Sequence, residues 1–285
     1  MAHMTDGAIT VLKEEFLFPE GPRWHEGRLW FSDQHLKCVF TLDENGTLER
    51  VFDVPGAPSG LGWDSRGRLL VVSMEDRKLL RLEAGELREL ADLSAHADFH
   101  CNDMVVDRQG RAYVGNFGFD LWNGGSVSAT RLAMVDEAGA VRVVAEDLLF
   151  PNGMVITPDG KTLILSETYA GRLIAFDIEA DGSLSGKRVW AELNEPTDGI
   201  ALDAEGCVWV AVPLCPGRFL RVAQGGEIRQ RIDLEEHGAY ACTLGGQDGR
   251  TLYLLEAREG QPKRMLPGNG RVRSVRVDVP HAGLP

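Results

Sequence analysis

Five oxygen-bearing side chains, each near the start of a predicted strand, have the chemistry of a site for a hard divalent cation. Together with one cysteine they occupy matching positions in six sequence repeats: Glu20, Ser59, Asn102, Asn152, Asp198 and Cys242. Carboxylate, amide and hydroxyl oxygens are ligands that such a cation accepts, with water completing its coordination. The carboxylates of Glu20 and Asp198 would neutralise its charge. The sequence therefore predicts a ring around one metal ion, provided that the fold brings the six repeats together.

The elements that would position this ring are marked by a turn signal that recurs six times. Each signal places a glycine where a tight hairpin needs a positive φ: Gly27, Gly67, Gly110, Gly160, Gly206 and Gly249. A run of β-branched and aromatic residues follows every turn, and a weaker pair of strands follows each run. About four strands in a unit of ~40–45 residues is the pattern of propeller blades. The sequence predicts an all-β fold, one six-bladed β-propeller with four-stranded blades.

The last repeat runs out of chain before its outermost strand. The segment Ala8–Glu14 can supply this strand and close the ring of blades, because an unpaired sheet edge is otherwise exposed. Inner strands line the channel of a propeller, so the ring residues are expected to converge at one face.

Acidic and amide residues also stand at the ends of the predicted second strands. These strands run antiparallel to the inner ones, so their ends should return to the face that holds the ring. Such residues are candidates for supporting the site or for contacting substrate: Asp33, Glu75, Asn116, Glu167 and Glu256. The longest connection, residues 116–131, is expected to form a loop over the pocket.

The charge and hydropathy of the chain exclude two classes of partner. It has 43 acidic and 30 basic residues and a formal net charge of −13, which would repel a phosphate backbone. No apolar run approaches the ~18 residues that suggest a membrane span. We expect neither nucleic acid nor membrane as a partner.

The five cysteines show no CxxC spacing and form an odd set, so neither a disulfide framework nor a zinc site is indicated. This favours a reducing, cytoplasmic compartment. Cys101 and Cys242 are interpreted as small buried residues. Residues 1–4 are interpreted as the remnant of an expression tag, and residues 5–285 as a single propeller domain without a signal peptide.

Four motifs at blade starts resemble those of the senescence marker protein (regucalcin) and gluconolactonase family. They lie at Phe18–Pro22, His100–Asp103, Pro151–Met154 and Thr197–Ile200. The resemblance covers essentially the whole chain and implies a six-bladed propeller that uses one divalent metal ion to hydrolyse a small-molecule lactone or ester. Calcium is the favoured ion, with zinc, manganese and magnesium as alternatives.

The resemblance also implies roles for individual residues. The metal ligands of the family correspond to Glu20, Asn152 and Asp198, and the asparagine that contacts substrate beside the metal corresponds to Asn102. In the family the metal polarises the carbonyl as a Lewis acid, and the residue that matches Asp198 is implicated as the general base.

The chain departs from the sugar-lactone pattern around the expected pocket. His100 stands where many sugar-lactone members have arginine, and it is expected to face substrate. Asp120 matches an acidic residue that contacts sugar hydroxyls. Phe119 and Trp122, with Phe99 and Phe117, predict a pocket less polar than a sugar acid requires.

Three other functions remain open at this point. An oxygen-ligated metal in a propeller could polarise a phosphoryl oxygen and hydrolyse a phosphotriester. The ring could instead be a structural metal site in a calcium-binding regulator or interaction platform without catalytic activity. A condensation like that of strictosidine synthase is weaker, since those propellers rely on a glutamate without a metal ring.

Overall fold

The computed structural model describes residues 3–4, 8–258 and 266–283, which fold as a propeller of six antiparallel blades. Two strands precede the first blade, β1 (His3–Met4) and β2 (Thr10–Phe16). Blades 1 to 3 follow in sequence order, each numbered from its inner strand outward. Blade 1 consists of β3 (Pro19–His25), β4 (Arg28–Asp33), β5 (Cys38–Asp43) and β6 (Leu48–Asp53). Blade 2 consists of β7 (Pro58–Trp63), β8 (Leu69–Ser73), β9 (Lys78–Glu83) and β10 (Glu86–Asp92). Blade 3 consists of β11 (Cys101–Val106), β12 (Ala112–Asn116), β13 (Thr130–Val135) and β14 (Val141–Leu148).

Blades 4 to 6 repeat this arrangement. A short 3-10 helix, Thr168–Ala170, lies between the second and third strands of blade 4. Blade 4 consists of β15 (Pro151–Ile156), β16 (Thr162–Glu167), β17 (Arg172–Ile178) and β18 (Leu184–Glu192). Blade 5 consists of β19 (Ile200–Leu202), β20 (Val208–Val212), β21 (Arg218–Val222) and β22 (Ile228–Asp233). Blade 6 contains β23 (Gly238–Gly245), β24 (Thr251–Ala257) and β25 (Gly270–Arg276).

The N-terminal strand closes the ring of blades, as the sequence predicts. Strand β2 pairs antiparallel with β25 and becomes the fourth strand of blade 6. It spans Thr10–Phe16 instead of the expected Ala8–Glu14, and its last residue, Phe16, is fully buried between blades 6 and 1. Strand β1 adds a fifth strand to blade 5 by pairing parallel with β22.

The predicted hairpin turns are confirmed by their backbone geometry. All six turn glycines have φ between 72° and 77°, in the left-handed region that glycine adopts without a steric penalty. These turns join the first and second strands of each blade at the end of the channel opposite the ring, which we call the far end.

The hydrophobic core is divided among the interfaces between blades. In the described part of the chain, one cluster of buried apolar side chains lies between each pair of neighbouring blades. Because the apolar faces of each blade pack on its two neighbours, the inner strands keep a fixed distance from the axis and position the channel residues. None of the helices in the described residues is long and apolar enough to cross a membrane.

Candidate metal centre and substrate cavity

The predicted ring residues lie at the start of the inner strands, at one end of the channel. Glu20, Ser59, Asn102, Asn152 and Asp198 are all buried, with between 1% and 7% of their surface exposed. In blades 1 to 4 the strand register shifts directly after the ring position, which marks a β-bulge. Such bulges re-aim side chains next to functional sites, and here they turn polar groups toward the axis.

Glycines after the ring positions allow the inner strands to approach one another closely. A Cβ added at Gly21 would lie 2.5 Å from the carbonyl oxygen of Ser59, and one at Gly60 would lie 2.5 Å from the amide nitrogen of Met104. At Gly153 it would lie 2.6 Å from the amide nitrogen of Ile200. Any larger residue would therefore push the blades apart and widen the ring.

The sixth ring position is Tyr240, so the assignment of Cys242 was wrong. Strand β23 carries its register shift between Ala239 and Ala241, which places Tyr240 at the level of the other ring residues. The backbone amide of Gly199 donates to the Tyr240 carbonyl across the blade interface at 2.8 Å. Cys242 lies further along the strand in the apolar core between blades 5 and 6.

The cysteines nearest the channel are buried and protonated. Burial raises the pKa of Cys101 to about 12 and raises that of Cys242 further. Both thiols belong to apolar clusters. A nucleophilic role would need a low thiol pKa, so the interpretation of both as small buried residues agrees with the structure.

Burial destabilises the charged form of the two ring carboxylates, Glu20 and Asp198. Burial, with a smaller contribution from the charge of Asp103, raises the pKa of Glu20 to about 8. Burial, followed by the charges of Glu20 and Asp103, raises the pKa of Asp198 well above its ordinary value. Oxygen Oδ1 of Asp198 is buried and has no hydrogen-bond partner in the described residues. A buried acceptor without a partner costs ~1–3 kcal/mol, and a cation between the carboxylates would remove both costs.

The donor set fits a hard cation better than a soft one. The carboxylates of Glu20 and Asp198 and the amides of Asn102 and Asn152 all offer oxygen atoms. Among the described residues, no cluster of three or more His, Cys, Asp or Glu side chains could hold a metal ion. Asn152 is held in place by a 3.2 Å hydrogen bond from its Nδ2 to Oγ1 of Thr168, at the start of the 3-10 helix. Oxygen ligands of this kind are typical of calcium and magnesium sites.

A line of polar groups supports the ring on the side of blades 1 to 3. The Gln34 amide donates to Oγ of Ser59 at 3.5 Å, and that hydroxyl donates to Oδ1 of Asn102 at 3.4 Å. Gln34 is 3% exposed and was missed by the sequence analysis, because it stands in a loop after β4 and outside the repeat column. It completes the floor of the site.

A buried ion pair below the ring was also missed. Arg23 points into the channel, and its Nη2 lies 3.0 Å from Oδ1 of Asp103. The same guanidinium donates to the carbonyl oxygens of Pro22, at 2.8 Å, and of Met104. Both side chains are 7% exposed. Arg23 thus supplies a fixed positive charge beneath the acidic ring.

Removing one partner of this pair should destabilise the fold. We expect Arg23→Met to lower the free energy of unfolding by ~3–5 kcal/mol, because the Asp103 carboxylate then stays buried without its counter-charge. Urea denaturation would measure the loss. The double variant Arg23→Met/Asp103→Asn should recover part of it, and an equal loss in both proteins would show that packing, not charge, sets the cost.

The acidic and amide residues at the ends of the second strands have structural partners instead of facing the site. Asp33 accepts the backbone amides of Leu17, Phe18, His35 and Leu36. The other four are engaged in their own blades or at the exposed rim: Asn116 with Arg131 and Thr130, Glu167 with Leu149 and Arg172, Glu256 with Arg271 and Arg273, and Glu75 with Lys37. They hold the loops around the mouth in place.

A cavity of about 260 Å³ opens above the ring. Its floor is polar and consists of Glu20, Gln34, Asn102, Asn152 and Asp198. Its walls are apolar or aromatic and consist of Phe18, Phe117, Leu121, Trp122, Phe150 and Tyr240. The loop expected over the pocket supplies three of these, Phe117, Leu121 and Trp122, and so does form one wall.

The structure separates the predicted substrate residues into two layers. Asn102 and Trp122 line the cavity directly. His100 lies behind the wall, stacked on Phe99 at 4.2 Å and near Phe117 at 6.0 Å between ring centroids. Burial lowers its pKa, and its Nδ1 has no partner in the described residues.

Phe119 and Asp120 also lie outside the lining residues. Phe119 packs edge-on against Tyr169 at 5.4 Å, and Asp120 accepts two hydrogen bonds from Asn123 that shape the loop. Their roles in substrate binding stay predictions, as does that of His100.

Protonation of Glu20 should make the metal-free protein sensitive to pH. Its pKa of about 8 in the fold lies above the ordinary value of 4.5. Between these values the folded state keeps a proton that the unfolded chain has released, so stability contributed by this group falls as pH rises from ~4.5 to ~8. We expect the Tm of chelator-treated protein to decrease over this range more steeply than that of Glu20→Gln. Equal slopes in the two proteins would contradict the assignment, and added Ca²⁺ should flatten the slope of the unsubstituted protein.

Comparison with known proteins shows relatives along nearly the whole chain. Residues 18–258 match a family model described as the SMP-30/Gluconolactonase/LRE-like region. A 6-deoxy-6-sulfogluconolactonase of Pseudomonas putida is 28% identical over 294 residues, covering 99% of this chain and 99% of that protein. A pentonolactonase of Haloferax volcanii is 28% identical over 254 residues, covering 84% of this chain and 81% of that protein.

The solved structures include a calcium-binding protein, regucalcin, from Agrobacterium tumefaciens. It superposes with a TM-score of 0.82 at 22% identity and covers 100% of this chain and 99% of its own. A likeness at this identity shows the fold, and the chemistry must be argued from the residues of the ring.

Proposed function

Because the chain belongs to the SMP-30/gluconolactonase/LRE-like family, we propose that it hydrolyses a lactone over the channel ring, with a divalent cation held by Glu20, Asn152 and Asp198. One observation carries this proposal. Two buried carboxylates, one with an oxygen that lacks any partner in the described residues, lie at the floor of a cavity open to solvent. Other buried carboxylates, such as Asp203 and Glu256, form salt bridges with arginines, whereas neither Glu20 nor Asp198 forms one in the described residues.

When bound, the cation would act as a Lewis acid on the lactone carbonyl. Calcium suits the oxygen ligands best, and zinc, manganese or magnesium can substitute because such ligands discriminate poorly among divalent ions. The Asn102 amide, whose Oδ1 accepts from Ser59, would orient the lactone through its Nδ2, while Asn152 would ligate the cation through its Oδ1.

In this proposal Asp198 is the general base. Its carboxylate lies in the ring beside Asn152, and its Oδ1 has no hydrogen-bond partner in the described residues. In the proposed reaction, Asp198 takes a proton from the attacking water as the water oxygen bonds to the carbonyl carbon. The bond between that carbon and the ring oxygen then breaks, and Asp198 returns its proton to this oxygen to give the hydroxy acid.

A reconstitution experiment tests the proposal. Protein stripped with a chelator is loaded separately with Ca²⁺, Zn²⁺, Mn²⁺ or Mg²⁺ and assayed with a pH indicator on sugar, aliphatic and aromatic lactones and on one phosphotriester. We expect lactone opening that depends on the cation. Faster hydrolysis of the phosphotriester would favour that alternative, and a cation-loaded protein that opens no lactone would refute the proposal.

A further inference from the structure

The walls of the cavity are formed by two groups of aromatic side chains that face each other. On the side of blades 6 and 1, Phe18 and Tyr240 have ring centroids 4.5 Å apart. On the side of blades 3 and 4, Phe117 stacks on Phe150 at 4.5 Å with an angle of 20° between the planes, and Trp122 packs edge-on against Phe117 at 6.0 Å. These separations are those of well-packed aromatic pairs.

The two groups are held rigidly by the fold. Phe18, Phe117 and Phe150 expose 6%, 3% and 5% of their surface, so their rings are fixed by neighbours on all other sides. His35 packs against one ring of each group, 5.8 Å from Phe18 and 6.4 Å from Trp122 between ring centroids. The cavity therefore has a preformed apolar upper part.

Among the described lining residues, charged and amide groups are confined to the floor, and the walls add the indole N–H of Trp122 and the hydroxyl of Tyr240. The charged residues among the described lining residues are Glu20 and Asp198, and none of these lining residues is a lysine or arginine. Gln34, Asn102 and Asn152 already share hydrogen bonds with Ser59 and Thr168. Asp120, the residue expected to contact sugar hydroxyls, is bonded to Asn123 outside the lining.

This distribution disfavours a substrate with many hydroxyl groups. A sugar lactone loses hydrogen bonds to water at each hydroxyl when it enters the cavity, and every hydroxyl left unpaired costs ~1–3 kcal/mol. An apolar group instead gains about 25 cal/mol for each Å² that leaves water. The cavity holds about 260 Å³, or roughly nine groups the size of a water molecule at ~30 Å³ each, which leaves room beyond a small lactone ring.

We infer that the substrate is a lactone with a flat apolar substituent, whose lactone ring lies over the polar floor while the substituent lies between the two aromatic groups. This inference rests on the proposed function. The inferred substrate differs from the sugar lactones after which the two relatives are named, the 6-deoxy-6-sulfogluconolactonase and the pentonolactonase. The difference resides in the walls, because the floor would serve either substrate.

The first arm of the test compares three lactones in cation-loaded protein: γ-phenyl-γ-butyrolactone, γ-butyrolactone and glucono-δ-lactone. A single methylene in an apolar pocket changes kcat/KM by ~10–200-fold. We therefore expect kcat/KM for the phenyl lactone to exceed that of each of the others by at least ~10-fold.

The second arm removes part of one wall. Trp122→Ala should lower the ratio of kcat/KM for the phenyl lactone to that for γ-butyrolactone by about 10-fold. The matched control is Trp63→Ala, which removes the same indole from the last residue of β7. Trp63 lies away from the cavity and stacks on His25, with ring centroids 3.8 Å apart. The control should leave the ratio unchanged.

The third arm separates this inference from the proposed function. Calorimetry measures binding of the lactam analogues of the phenyl lactone and of gluconolactone, which resist hydrolysis. Tighter binding of the phenyl lactam without turnover of any lactone would refute the hydrolase and support the apolar ligand. Preference for glucono-δ-lactone, with a ratio unaffected by Trp122→Ala, would overturn the inference and leave the hydrolase in place.

Discussion

Replacing Asp198 with asparagine is expected to lower turnover by at least ~100-fold, even when the protein is saturated with cation. General base assistance typically contributes ~100- to 10,000-fold to a rate. Asparagine keeps an oxygen of similar size at the ring but cannot take a proton from water. The loss should therefore appear in kcat on the best lactone and should not be rescued by more cation.

Two controls make this result interpretable. Cation content must be measured first, by elemental analysis of the dialysed variant. Asp159→Asn, at an exposed hairpin turn on the far end, makes the same chemical change away from the site and should keep full activity. If cation-loaded Asp198→Asn turned over at nearly the normal rate, Asp198 would be a ligand only and not the base.

Glu20→Gln is expected to act on cation affinity instead of chemistry. It removes one of two ring carboxylates, and changes to groups that merely support a metal ligand already cost ~10–100-fold in affinity. We expect a loss of at least ~100-fold, measured by calorimetric titration of chelator-treated protein with Ca²⁺. Activity should fall at low cation concentration and return when the cation is raised.

The contrast between the two variants carries the assignment. Rescue of Glu20→Gln by excess cation, together with no rescue of Asp198→Asn, would separate the ligand from the base. Undiminished cation content in Glu20→Gln would show that Glu20 does not bind the ion. Asp198 would then be the only ring carboxylate proposed to bind it.

The architecture could be predicted from the sequence because each blade repeats a local signal. A turn that needs glycine at positive φ is determined by its own residues, and six of these in register set the number of blades. The ring positions in blades 1 to 5 followed from the same register. Prediction was wrong at Cys242, because the register shift of β23 lies between Ala239 and Ala241 and places the ring position at Tyr240, two residues earlier.

Contacts between distant blades could not be predicted in the same way. The pair of Arg23 with Asp103 joins residues 80 positions apart, and nothing in either local sequence indicates the other. The strand-end residues Asp33 and Glu256 were placed on the correct face, but the sequence did not show that backbone amides and arginines would engage them. Side-chain partners across a channel depend on packing that repeat arithmetic does not contain.

The channel is narrowed below the ring by the buried pair of Arg23 and Asp103. In the described residues, a cavity of about 30 Å³ beside Arg23 is bordered by His281 and Gly283 of the C-terminal segment, and a separate one of about 190 Å³ lies between the far-end turns and Gly283. That segment is fastened to blade 5 by hydrogen bonds between Ala204 and Pro280 and between Ala282 and Leu202. We therefore expect the substrate and product of the proposed reaction to share one doorway, past Trp122 and Phe18. Accumulated hydroxy acid should then slow the progress curve by competing for the entrance and for the ring.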